Sequence, residues 1–126
     1  MNLYESSKEY LEAILILTET NKIVRAVDIA NYMGYSKASI SIALKKLINN
    51  SLVVVNQKDG VHLTPEGEGV ARAFHDRRMV IKDILISVGV DEELADRESY
   101  RLENALSSES YNLIKKRIEN NKKARK

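Results

Sequence analysis

In the stretch "ANYMGYSKASISIALKKL" a single residue separates a helix stop from a helix start. Gly34 ends the short apolar-periodic segment "AVDIANYMG", whose Ile29, Ala30 and Met33 are expected inward, and Ser36 is a cap for the segment that follows. Only Tyr35 lies between them, so two short helices must turn sharply on each other, the geometry of a helix–turn–helix. Beyond the cap, Ile40, Leu44, Leu47 and Ile48 recur at helical spacing and are expected to face the core, with Tyr35 stapled onto Ile40.

The flanking segments complete the unit. "ESSKEYLEAILILTET" reads as a preceding helix, with Ser6 and Glu9 as a capping box and Tyr10, Ala13, Ile14 and Leu17 along one face. After the third helix, Val53 to Asn56 and Val61 to Leu63 are β-rich runs joined through the hairpin dipeptide Asp59-Gly60. Thr64 then caps a helix whose first residue is Pro65, where the missing N–H costs nothing. A helix, a helix–turn–helix and a two-stranded ribbon in this order spell a winged helix.

The rest of the chain is expected to be helical. A fourth helix runs from about Pro65 to Val88, with Val70, Ala73, Phe74, Ile81, Ile84, Leu85 and Val88 as its apolar stripe, and Gly89 stops it. "DEELADRESYRLENAL" is a fifth, with acids in its first turn, and "SESYNLIKKRIEN", capped by Ser107 or Ser108, is a sixth. The expected fold class is therefore mainly α: an N-terminal winged helix–turn–helix with a small two-stranded wing over residues 1–64, a helical domain over 65–121, and a basic tail at 122–126.

Charge points to the partner. The net +2 divides into −3 over residues 1–21, +4 over 22–64, −5 over 65–114 and +6 over the last twelve. The middle block holds the third helix, whose outer face carries Ser39, Ser41, Ile42, Lys45 and Lys46, with Lys37 at its start and no acid anywhere. The major groove of B-DNA offers phosphate oxygens to lysines and hydroxyls, base edges to hydroxyls, and thymine methyls to apolar side chains. That matches this face, isoleucine included. Arg25, before the second helix, and Lys58, at the wing tip, are placed to reach flanking phosphates.

Other classes are excluded on chemistry. With no cysteine there are no disulfides, thiolate nucleophiles or Cys-ligated zinc. No phosphate loop, nucleophile elbow or dinucleotide fingerprint occurs, so an enzyme is not expected. The N-terminal apolar run lacks a basic n-region and is too interrupted to span a bilayer, so no membrane partner and a cytoplasmic location are expected.

"YLEAIL", "VRAVDIA", "GYSKASISIALKKL", "VHLTPEGEGVA", "ISVGVDEE" and "RLENALS" resemble, in order and spacing, the diphtheria toxin repressor family, which includes the manganese transport regulators. The resemblance covers Leu3 to Ile118. It implies a homodimeric, metal-responsive transcriptional repressor on a pseudo-palindromic operator, with the helices after residue 64 as the dimerisation domain. It places Arg25, Ser36, Ser39 and Ser41 at DNA-contact positions, and Ile42 where a polar reader often sits.

The resemblance also implies a manganese or ferrous iron centre, and there the pattern breaks. Glu9 and Glu12 stand at the ligand positions of the first helix, and Glu103 is kept in the fifth. The helix-four histidine is Arg78, with Lys82 where an ancillary acid can sit; an acid-or-Cys position is Tyr100, a histidine is Asn104, and an ancillary histidine is Asp96. A guanidinium never deprotonates and cannot ligate. The expectation is a degraded metal site with no bound cofactor, in which Arg78, with Lys82, supplies the positive charge of the metal and bridges Glu9 or Glu12 to Glu103. Two competing expectations are a winged-helix protein-interaction dimer without specific DNA recognition, and a true manganese or iron sensor with an unorthodox ligand set.

Overall fold

The computed structural model describes residues 3–21 and 23–124, with side-chain surroundings for 7–21 and 23–122. Its elements are α1 (Leu3–Thr20), α2 (Ala26–Met33), α3 (Lys37–Asn49), β1 (Val53–Asn56), β2 (Gly60–Leu63), α4 (Pro65–Ser87), α5 (Glu92–Ala105) and α6 (Ser108–Ala124). They form two compact units that divide between Phe74 and His75.

Capping chemistry explains most of the boundaries in the first unit. Gly34 takes the left-handed conformation, φ 72°, that closes α2, and the Ser36 hydroxyl accepts from the Ser39 amide to open α3. At the start of α2, Asp28 accepts from the Arg25 backbone N–H at 2.8 Å. One cap differs from expectation: α1 already begins at Leu3, so Ser6 lies inside the helix, and its side chain is outside the described surroundings.

The core of this unit gathers Leu11, Ile14 and Leu15 of α1, Ile29 of α2, Ile40, Leu44 and Leu47 of α3, and Val53 and Val61 of the ribbon. One expected detail changes. Ile48 is exposed, because Leu47 already closes the buried line of α3 and the next residue rotates about 100° away from it. The Tyr35 ring meets the Tyr10 ring edge-on, with centroids 5.9 Å apart.

The ribbon pairs Val53 with Leu63 through Asn56 with Gly60, leaving Gln57, Lys58 and Asp59 as the loop. Gly60 stands at φ +78°, as a hairpin of this loop length requires, and a Cβ there would run into the Val24 carbonyl. That close approach lets Val61 N–H donate to Val24 O at 2.7 Å, so the wing is tied to the segment entering α2. Gly67 plays a similar part in α4, where a Cβ would collide with the Leu52 carbonyl.

Thr64 joins the ribbon to α4. Its hydroxyl donates to Ser51 O at 2.7 Å and accepts from Gly67 N–H at 3.0 Å. Thr64→Ala is therefore expected to lower stability by about 1–2 kcal/mol in a denaturant titration, while Thr64→Ser keeps most of it.

Towards the second unit, Gly89 at φ +101° follows the end of α4 at Ser87, Asp91 caps α5 through the Glu93 amide, and Ser107 caps α6 through the Ser110 amide. The buried positions of α4 are Gly67, Ala71, Phe74, Arg78 and Ile81, at helical spacing, whereas two residues expected in the stripe are exposed: Ala73, which lies off that line, and Val88, 74% exposed beyond the helix end. The buried line of α5 is Ala95, Ser99 and Glu103. Neither a large apolar side chain nor a leucine zipper pattern occurs on that line, so polar chemistry has to hold α5 to its neighbours. Among the described residues, no helix is long and apolar enough to cross a membrane.

Candidate nucleic-acid interface and candidate metal centre

The outer face of α3 is built by the same spacing that buries its inner face. With Ile40, Leu44 and Leu47 turned inward, Ser36, Lys37, Ser39, Ser41, Ile42, Lys45 and Lys46 are all exposed to solvent. Ile42 is 58% exposed, and the α3 segment from Lys37 to Asn49 contains no carboxylate. The first turn is stiffened by a hydroxyl pair, Ser36 Oγ donating to Ser39 Oγ at 3.0 Å. The face therefore interleaves ammonium and hydroxyl groups around the exposed Ala38 and Ile42.

Arg25 has a second engagement that spacing alone does not reveal. Its Nη1 and Nη2 both donate to Gln57 O in the wing loop, at 3.3 Å each. The guanidinium thus braces the wing against the start of α2, and two of its five donors are committed to that carbonyl. Lys58, beside Gln57 at the loop tip, is exposed.

The second cluster lies on α4 and α5. Arg78 is 3% exposed, and its Nη1 donates to Asp96 Oδ1 and to Ser99 Oγ, each at 2.9 Å. Its Cζ stands 4.0 Å from the centre of the Tyr100 ring, a cation–π stack. Lys82 Nζ approaches the same Asp96 Oδ1 at 3.4 Å, so two cations converge on one carboxylate oxygen. Next to them Arg77 Nε lies 3.2 Å from Glu103 Oε1, and its guanidinium covers the Tyr111 ring at 4.4 Å.

These contacts account for the titration of Asp96. Burial pushes its carboxyl up, but the Arg78 hydrogen bond and the charges of Arg78 and Lys82 outweigh that and hold it below its ordinary 3.8. A carboxyl depressed on folding stabilises the protein above its unfolded value and loses that contribution as pH falls. Acid unfolding below about pH 4 should thus be less steep in Asp96→Asn than in the wild type, measured as midpoint against pH.

Sequence reasoning named Arg78, Lys82 and Glu103 for this cluster but missed Arg77 and Ser99 and gave Asp96 no partner. The signal was present in the small, polar line Ala95–Ser99–Glu103 opposite consecutive arginines. Glu12, the first-helix candidate, is buried and Glu9 is half-buried.

The Arg78–Lys82–Asp96 cluster by itself is not a donor set for manganese or iron. Arg78 and Lys82 carry no lone pair to offer, Asp96 Oδ1 already faces both cations, and Asn104 is exposed. Among the described residues no group of three His, Cys, Asp or Glu side chains converges to hold a metal ion.

Comparison with known proteins places this arrangement in context. Residues 2–61 match the family model described as iron dependent repressor, N-terminal DNA binding domain. Over 102 residues the chain is 31% identical to the transcriptional regulator MntR of Salmonella typhimurium, covering 81% of this chain and 65% of that protein. It is 30% identical over 113 residues to an uncharacterised HTH-type transcriptional regulator of Methanocaldococcus jannaschii, covering 88% of this chain and 90% of that one. In fold it is similar to the manganese regulator SloR, with a TM-score of 0.82 at 24% identity over 90% of this chain. A manganese-dependent transcriptional repressor in complex with manganese gives 0.79 at 24% over 89% of this chain. The chain spans about two thirds of the Salmonella relative's length and about half of the two solved structures'.

Proposed function

The chain belongs to the family of metal-dependent transcriptional regulators, which are not enzymes, and from that premise we propose that it is a homodimeric, cytoplasmic DNA-binding repressor that works without a metal. Residues 1–64 form its DNA-binding domain and 65–121 its dimerisation domain. Two α3 helices enter successive major grooves of a pseudo-palindromic operator, about 34 Å apart. Lys37, Lys45, Lys46 and Lys58 meet phosphates, Ser36, Ser39 and Ser41 meet phosphates or base edges, Ile42 faces the bases, and Arg25 holds the wing at the flanking backbone. The observation that carries this is the solvent-exposed, acid-free outer face of α3.

The metal-free mode rests on Arg78, which places a fixed cation where the family resemblance puts a metal ligand. The Asp96–Arg78–Ser99 contacts hold α5 on α4 with charge that needs no ion from solution.

A salt titration tests the DNA reading. Affinity for the duplex upstream of its own gene should fall steeply as salt rises, since each phosphate contact releases counterions, and should exceed affinity for random duplex. Absence of salt-dependent DNA binding would favour a protein-interaction dimer instead.

A further inference from the structure

We infer that Ile42 is the specificity-determining residue of the α3 face, and that it reads the C5-methyl group of a thymine in each half-site. The inference rests on the DNA-binding function proposed above.

Exposure alone would not support it, because large apolar side chains are exposed at many places on this chain and on most proteins. What singles out Ile42 is its setting. On α3 its neighbours one turn away are Ala38 and Ser39 on one side and Lys45 and Lys46 on the other, all exposed. Ala38 and Ile42 thus make a short apolar line framed by hydroxyls and ammonium groups.

The groups around that line discriminate poorly. The outer face from Lys37 to Lys46 carries no Arg to grip guanine bidentately, no Asn or Gln to grip adenine, and no acid to accept from cytosine. Serine hydroxyls serve either donor or acceptor edges. Only one group in the major groove is apolar, the thymine methyl, and only one large side chain of this face is apolar. Ile42 cannot be satisfied by phosphate, and a polar base edge beneath it would lose its water for nothing in return. A thymine methyl under Ile42 removes apolar surface from water on both sides.

The test uses the full chain and duplexes enriched from a random library by the wild-type protein. Each thymine of the enriched duplex is replaced in turn by deoxyuridine, which removes only the methyl group. At one symmetry-related position, affinity is expected to fall about fourfold per half-site, the worth of one buried methylene-sized group. Ile42→Ala is expected to bind the thymine duplex more weakly and to lose the distinction between thymine and uracil at that position. If the enriched duplex is bound specifically but uracil is tolerated everywhere, or Ile42→Ala still discriminates, the Ile42 inference falls while the DNA reading stands. If no duplex binds above background, the DNA reading fails and takes this inference with it.

Discussion

Arg78→Ala is expected to lower the unfolding midpoint on the order of 10 °C, following a loss of about 3 kcal/mol. The residue sits on a buried position of α4 and donates charge-assisted bonds to Asp96 and Ser99 while lying over Tyr100. Such bonds each contribute roughly 1.5–3 kcal/mol when they involve a charged group. The stack adds about 1–2 kcal/mol in a desolvated setting. Against this, the Asp96 side chain is 43% exposed, so solvent screens part of the pair and the summed figure has to be reduced. Arg78→Lys should recover only a fraction, because an ammonium cannot present a planar fork to an aspartate and a serine while stacking on a ring. An unchanged midpoint in Arg78→Ala would mean that the guanidinium holds nothing together and that the metal site has simply decayed.

Lys45→Ala combined with Lys46→Ala is expected to weaken operator binding at least tenfold at physiological salt, with the folded structure intact. Both side chains are exposed on α3 and neither lies on its buried line, so circular dichroism and the unfolding midpoint should hardly move. The salt dependence is the sharper readout. Removing one lysine from a phosphate should reduce the slope of log affinity against log salt by about one, so the double variant should show a slope shallower by about two per protomer. A weakened affinity with an unchanged slope would place these lysines away from the backbone. Unchanged affinity would remove α3 from the interface altogether.

The parts of this molecule that were legible in the chain are those written in local chemistry. A glycine stop, one residue and a serine cap define the helix–turn–helix, and Gly34 and Ser36 do take those roles. Asp59-Gly60 marks the hairpin, although Gly60 opens β2 rather than sitting within the loop. Thr64 and Ser107 cap their helices for the same local reason, while Asp91, read as an acid in the first turn of α5, is its cap. The misses are positions decided by distant parts of the chain. Ile48 and Val88 match an apolar period but fall at a helix end or beyond it, where nothing covers enough of them. Gly67 reads as an ordinary helix-weakening glycine until Leu52 O is found against it. Arg77 and Ser99 carry no motif of their own and acquire a role only when α5 brings its polar line to α4.

The family resemblance told where a metal would be expected but not which contacts the side chains at those positions make. Arg78 could be excluded as a ligand from the sequence, because guanidinium chemistry is independent of context. That its acceptors include Asp96, at another position of the same implied centre, required the structure. A histidine, an acid and a histidine at the implied positions would gather around a dication. Here Arg78, Lys82 and Asp96 gather around each other.

The most direct test is the affinity of the purified protein for the duplex upstream of its own gene, measured in chelator and again with added manganese or ferrous iron. A metal-free repressor should bind equally tightly in both. Binding that vanishes in chelator and returns with either ion would contradict the proposal that Arg78 and its partners do the work of a metal.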